Sequence, residues 1–303
     1  MNRRTFMAAA GGAALAAAIP AGTIDTHIHL FDPRRPGGIP WPPADDPIRS
    51  KPTYPDRFRS VAGPHGVEAA IVVECSPRIE DNQWVLDASA NDPSVVGLVG
   101  FLDAGQPGFG GDLERFSSNP LFRGIRYGNL WGRSLADQLG NPRFIEDMGL
   151  LAQAGLSLDT ANPDLKLLEA MLSLSDRVPA LRMVVDHLPK IQVAEADRGR
   201  FQRILQGFAA RPQTYVKLSA VLLQRNGSVS YDIADYRDTL DQISGAFGED
   251  RVLYGSDWPN SDPLGSYGQV IGIVKEYYEG KSSAAKEKYF RTNSESAYRW
   301  SAG

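Results

Sequence analysis

The sequence predicts a single-domain α/β fold, a (β/α)8 barrel of the TIM type. Three observations predict it. Strand-like and helix-like segments alternate strictly, and eight strands can be counted. That alternation implies a parallel sheet, which closes into a barrel in a chain of this length. Several strands are continuous apolar runs, as expected where both faces of a sheet are covered. Ionisable residues collect at the C-terminal ends of seven of the eight strands.

The first strand is "TIDTHIHLF" (23–31). Residues 33–54 follow, with seven prolines and no hydrophobic periodicity. Loops of this length inside a compact domain are often functional. "PDRFRSVAGPHG" reads as a short helix ending at Gly63 or Gly66, and "VEAAIVVECS" as the second strand, backed by the helix "EDNQWVLDASAND". "SVVGLVGFLD" and "FRGIRYGN" are the third and fourth strands. Their helices are "GGDLERFSSN" and "NPRFIEDMGLLAQAG", the latter stopped by Gly155. "LSLDTA", "ALRMVVDHLP" and "TYVKLSA" are the fifth to seventh strands, each followed by an amphipathic helix, and "RVLYGSDWP" is the eighth. Two helices, about 268–279 and 282–300 with a break near Thr292, close the chain.

The first residues, "MNRRTFMAAAGGAALAAAIPAG", read as an export signal. Arg3 and Arg4 precede an apolar run from Met7 to Ile19, shorter than the ~20 residues that span a bilayer. Small residues follow, and "RRTFM" resembles the twin-arginine consensus. The expectation is a signal over 1–21, a barrel domain over 22–303, and a periplasmic or secreted protein without stable membrane insertion. An uncleaved anchor or amphiphilic helix is the alternative. Cys75 is the only cysteine, so no intrachain disulfide forms, which suits folding in the cytoplasm before export. The 303-residue chain has a net charge of only −4 and no basic stripe, so nucleic acid is not an expected partner. A small-molecule substrate is expected, and no motif sets an oligomeric state.

In such a barrel, chemistry sits at the C-terminal ends of the strands. Residues i and i+2 on a strand share a face, so His27 and His29 can converge on one atom. A His-x-His alone is equally consistent with two packed core histidines. His187 and Asp257, at the ends of strands six and eight, can complete a metal site across the mouth, with zinc as the first candidate. Glu74, Arg126, Asp159 and Lys217 end strands two, four, five and seven. The Arg126 guanidinium matches a carboxylate bidentately, or pairs with a barrel carboxylate. Glu74 and Asp159 are expected to bind substrate hydroxyls or to pair with Arg126 and Lys217. Trp258 and Trp131 are candidates for the rim. Asp25 is expected on the face of His27 and His29, deeper in the strand, whereas Asp32 and Asp186 are expected to point away. His65, in a helix-to-strand turn on the far side, reads as structural.

"DTHIHLFDP", "VVDHLP" and "LYGSDWP" together resemble the amidohydrolase superfamily, in particular the amidohydrolase-2 branch that contains sugar-acid lactonases and 2-pyrone-4,6-dicarboxylate lactonase. The resemblance runs from Ile24 to Trp300, and in it Asn293 would cap the closing helix. It implies that His27, His29 and His187 hold a metal or polarise a substrate carbonyl, with Asp257 as general base and His187 also catalytic. The chain departs from the binuclear members: strand four offers Arg126 and strand five Asp159, where those have lysine and histidine. One divalent ion is therefore expected, with metal-free catalysis as the alternative, the histidines then donating hydrogen bonds to the carbonyl.

The leading expectation is a hydrolase that opens a lactone of a sugar acid or dicarboxylic acid. The runner-up is a zinc-dependent non-oxidative decarboxylase of an aromatic or enol acid on the same fold. A non-catalytic, secreted ligand-binding barrel is the third, and its mark would be loss of Asp257 or a histidine. Loops 33–54, 127–141 and 220–232 are expected to set specificity.

Overall fold

The computed structural model describes residues 22–301. The expected export signal over 1–21 lies outside the described residues.

Eight parallel strands form one sheet in sequence order: β1 (Thr23–Ile28), β2 (Val67–Val73), β3 (Val95–Gly100), β4 (Phe122–Arg126), β5 (Ser157–Asp159), β6 (Arg182–Val185), β7 (Thr214–Leu218) and β8 (Val252–Tyr254). The circle is completed where β8 runs back to β1: the His29 N–H donates to the Trp258 carbonyl (2.8 Å) and the Asp257 N–H to the His27 carbonyl (2.9 Å). The residues of the first and eighth strands that were expected to carry chemistry thus also close the barrel.

Alternation divides each strand between two cores. Outward side chains such as Leu98, Ile125, Leu158, Met183, Val216 and Val252 pack under the surrounding helices. Inward ones such as Ile24, Ala69, Ile71, Val96, Val184 and Leu253 form a smaller core, joined by Ala297, Tyr298 and Trp300 from the C-terminal segment. Apolar packing therefore fills the lower barrel and leaves polar residues in its upper half.

The helices follow the expected order. α1 (Pro55–Ala62) begins with Pro55, whose fixed φ suits the first turn, and runs into a 3₁₀ turn ended by Gly66 at φ 79. The helix Pro142–Gln153 is likewise followed by Gly155 at φ 70, the left-handed stop that glycine adopts without strain. The helix Tyr267–Tyr278 opens with a capping box in which Ser266 and Gln269 satisfy each other's backbone amides.

At the C-terminus, the helix Ser283–Glu287 passes through a π-helical turn over 288–292 into a closing helix, Asn293–Tyr298. Asn293 is not the cap expected from the resemblance. It is the first residue of the closing helix, and its buried amide donates to the carbonyls of Glu249 and Val252, each at 2.8 Å. It ties the closing helix to the start of β8. Two elements were not read from the sequence: a short helix over Leu135–Gln138 and a hairpin pairing 224–225 with 228–229. Both lie in loops expected to set specificity.

Candidate active site

At the upper end of the barrel the Nε2 atoms of three histidines converge on one carboxylate oxygen. Asp257 Oδ1 lies 3.3 Å from His29, 3.6 Å from His187 and 3.7 Å from His27. All four residues are at least 96 % buried. His29 reaches the centre by strand alternation. His187 and Asp257 lie past the ends of β6 and β8 in left-handed backbone, at φ 55 and 65. Such conformations are strained for non-glycine residues and concentrate at functional sites.

The outer faces of the rings are held. His29 Nδ1 is 2.9 Å from the Val73 carbonyl, which can only accept, so the ring proton sits on Nδ1 and Nε2 turns a lone pair inward. His187 Nδ1 is 2.7 Å from Ser219 Oγ. His27 Nδ1 lies 3.2 Å from the Lys217 ammonium and 3.6 Å from Asp186, so either tautomer has a partner. The buried His27 Nε2 has no hydrogen-bond partner among the described residues.

Burial pushes the His187 ring down to about 4 and holds His27 well below the usual imidazole range, so both are neutral at pH 7. Burial alone would raise the Asp257 carboxyl, but the neighbouring His187, His29 and His27 rings together hold it well below the usual carboxylate range. With the His29 ring proton on Nδ1, its Nε2 lone pair and the Asp257 carboxylate face each other across 3.3 Å. A cation between them resolves that repulsion. Ligand atoms of His27, His29 and Asp257 lie within 4.8 Å of one another, a span a zinc-sized ion with bonds of ~2.0–2.2 Å nearly bridges. The donor set fits a divalent metal.

A second polar layer lies beneath. The Lys217 ammonium is fully buried and contacts three acceptors: Asp159 Oδ2 (2.7 Å), Asp186 Oδ1 (2.9 Å) and His27 Nδ1 (3.2 Å). Asp159 also accepts from the Tyr298 and Ser157 hydroxyls. Asp186 is 3.2 Å from Arg126 Nε. Burial would raise the Asp186 carboxyl, but Lys217, His27 and Arg126 hold it well below the usual range.

These positions correct several expectations. Asp186 does not point away: it follows the inward Val184 by alternation, and it is His187 that departs from the strand, through its positive φ. Asp25 does not share the face of His27. The β1–β2 register shifts between Asp25 and Ile28, and such an irregularity reverses which face the next residue meets. Asp25 instead accepts from the hydroxyl of Tyr267, the first residue of the helix Tyr267–Tyr278 (2.8 Å), and from the N–H groups of Ser256 and His27. Burial raises its carboxyl to about 6. Of the two roles open to Asp159, a substrate hydroxyl or a pair with Lys217, the structure shows the pair, at 2.7 Å; both residues, the Lys217 substrate candidate included, are fully buried below the ring and do not border the mouth cavity. Trp258 is also buried, packed on Phe58 with Arg57 over its ring. Asp32 is ion-paired with Arg34, and His65 stacks on Tyr267, both structural as expected.

The mouth cavity is about 570 Å³, counting space open to solvent, and is lined by His29, His187, Asp257, Arg126 and Trp131. Arg126 Nε is occupied by the Thr160 carbonyl and Asp186. Its Nη2 has no protein partner among the described residues. Glu74 is committed to Trp131 Nε1 (3.1 Å), Arg133 and the Ser76 N–H. It therefore props Trp131, which stands at φ 59, rather than pairing with Arg126. The cavity also brings in Trp41, Lys190 and Asn260, which the sequence reading did not single out. The signal was partial: Trp41 lies in the flagged proline-rich loop, and Asn260 follows "GSDWP" directly.

The amidohydrolase family model matches residues 24–300. The chain belongs to the amidohydrolase family. The L-fucono-1,5-lactonase of Burkholderia ambifaria is 28 % identical over 250 residues, covering 81 % of this chain and 83 % of that protein. An amidohydrolase from Burkholderia multivorans, solved with bound zinc, superposes with a TM-score of 0.79 at 22 % identity, over 92 % of this chain and 99 % of that one. The 5-carboxyvanillate decarboxylase of Novosphingobium aromaticivorans, solved with manganese and a nitrobenzoic acid ligand, superposes at 0.65 with 16 % identity, over 91 % and 96 % of the two chains. The two structures establish the shared barrel. Among the described residues no helix is long and apolar enough to cross a membrane.

Proposed function

We propose that this amidohydrolase opens a lactone of a sugar acid or dicarboxylic acid, with Asp257 as the base that activates water. The observation that carries the reading is the convergence of three histidine Nε2 atoms on Asp257 Oδ1 within 3.3–3.7 Å. The similarity to an L-fucono-1,5-lactonase across most of both chains supports it.

The residues divide the work as follows. Asp257 is ionised, so it accepts a proton from the water that attacks the lactone carbonyl. The same proton then passes to the ring oxygen as the acyl C–O bond breaks, leaving a hydroxy acid whose carboxyl ionises at pH 7. Arg126 turns an unpartnered N–H toward the cavity and binds a substrate oxygen or carboxylate there. Trp131, held by Glu74, and Trp41 form the walls against which a ring lies. His27, His29, His187 and Asp257 would hold one divalent ion, zinc by the chemistry of the donors, and such an ion acidifies water and polarises a carbonyl.

The similarity to a decarboxylase keeps a second reading in view, since the same four residues could serve a metal-assisted loss of CO₂ from an aromatic or enol acid. The products separate the two. We expect the purified protein to release one proton per turnover from a neutral lactone near pH 7 and to contain about one equivalent of divalent metal. Evolution of CO₂ from an aromatic acid, with every lactone inert, would overturn the first reading. A barrel that only binds ligand would do neither. We further propose export through the "RRTFM" signal, which cell fractionation tests: activity confined to the cytoplasm would contradict it.

A further inference from the structure

Asp257 presents one carboxylate oxygen to the ring, and its other oxygen is held as well. Asn260 Nδ2 donates to Asp257 Oδ2 at 2.8 Å, and Arg49 Nη1 donates to Asn260 Oδ1 at 3.2 Å. Arg49 comes from the proline-rich loop. Its guanidinium is aimed by Asp46, which takes Nε at 2.7 Å, and it lies 5.9 Å from the centre of the Trp41 ring. Trp41, from the same loop, meets the His29 ring edge-on at 5.4 Å.

The polarity of this chain leaves no freedom. A guanidinium can only donate and an ionised carboxylate can only accept. The residue between them must accept on one side and donate on the other, which the amide of Asn260 does in one orientation only. Arg49 fixes which end of the amide faces the base. Without it the amide can turn its oxygen toward Asp257 and push the carboxylate off its aim.

We propose that Asn260 is a positioning residue for Asp257 and that Arg49 sets its orientation, so that seating of the 33–54 loop over the mouth and alignment of the base are one event. Trp41 and Arg49 make the loop touch the ring at two points, His29 directly and Asp257 through Asn260. A substrate that seats Trp41 therefore also locks the base. The proposal rests on the reading of Asp257 as base.

The test compares Asn260→Leu, Asn260→Asp, Arg49→Met and the double variant Arg49→Met/Asn260→Leu, all in the full chain. Small misplacements of reacting groups lower rates by up to ~10²-fold. Both Asn260 variants are expected to lose roughly 10- to 100-fold in kcat with KM changed little, and Arg49→Met about 3- to 10-fold. Residues acting through one another are not additive, so the double variant should be no slower than Asn260→Leu. Wild-type kcat in Asn260→Leu, or losses that multiply in the double variant, would overturn the proposal. Trypsin supplies a readout independent of chemistry. Cleavage after Arg49 should quicken about tenfold in Asn260→Leu, because the loop loses its anchor, and an unchanged cleavage rate would overturn the coupling. If the wild-type chain opens no lactone and releases no CO₂, the functional reading falls, and the cleavage rate alone decides whether Asn260 anchors the loop.

Discussion

The upper half of the barrel holds two layers of buried polar side chains, one above the other. The upper layer, His27, His29, His187 and Asp257, aims its polar atoms at one point and leaves His27 Nε2 without a hydrogen-bond partner among the described residues. The lower layer, Lys217, Asp159 and Asp186 with Tyr298, pairs its opposite charges internally: the ammonium meets three acceptors, and Asp186 Oδ1, which has no hydrogen bond among the described residues, is held by its ion pair with that ammonium. Only His27 belongs to both. Open valence at the mouth is what a reactive site needs, and closed valence beneath is what holds that site in place. A buried charge with a complete set of partners supports a neighbour, whereas one with an incomplete set awaits a ligand.

Substitutions separate the layers by what they damage. In the upper layer Asp257→Asn keeps the shape and removes the base. Positioned bases contribute ~10²–10⁴-fold, so kcat should fall at least that far while the circular dichroism spectrum and urea midpoint stay near wild type. In the lower layer Lys217→Met leaves Asp159 and Asp186 buried without their cation. Removing one partner of a buried pair destabilises by ~3–5 kcal/mol, so urea unfolding should show a loss of that order. A Lys217→Met protein of wild-type stability would erase the distinction between the layers.

Acid sharpens the comparison further. Burial holds the folded His187 ring at about 4 against an ordinary value of 6.5. Between those values the unfolded chain binds a proton that the folded chain does not. The stability that His187 contributes is therefore present above about 6.5 and lost as pH falls toward 4. Asp25, raised by burial to about 6 from 3.8, pulls in the opposite direction between those two values. The informative quantity is thus the difference from a His187→Asn variant, whose urea midpoint should fall less steeply between pH 7 and pH 4. Equal slopes would remove His187 from the buried, neutral set. The smallest effect belongs to Arg126→Lys, which keeps the charge and loses the fork. If the guanidinium grips substrate equally in ground and transition states, KM rises ~10-fold with kcat nearly unchanged, as initial rates would show.

The barrel was legible because alternation is a long-range pattern: eight apolar runs each followed by a helical one admit few other folds. His27, His29, His187 and Asp257 were legible because each ends a strand, and strand ends share one mouth. Depth was not legible. Asp159 and Lys217 end their strands much as Arg126 does, and the sequence left their pairing open beside contact with substrate, because it does not reveal how far below the mouth they sit. The faces of Asp25 and Asp186 were misread where the backbone leaves strict alternation, at the register shift in β1 and at the positive φ of His187. Trp41 and Asn260 were missed because loops carry no period that would mark an inward side chain.

The central claim is that water activated at Asp257 attacks the acyl carbon of a lactone. The most direct test is a single turnover in ¹⁸O-labelled water, with mass spectrometry of the product. The account predicts one heavy oxygen in the new carboxylate and none in the new hydroxyl, with the signal lost in Asp257→Asn. Label in the hydroxyl, or undiminished labelling of the carboxylate in Asp257→Asn, would contradict it.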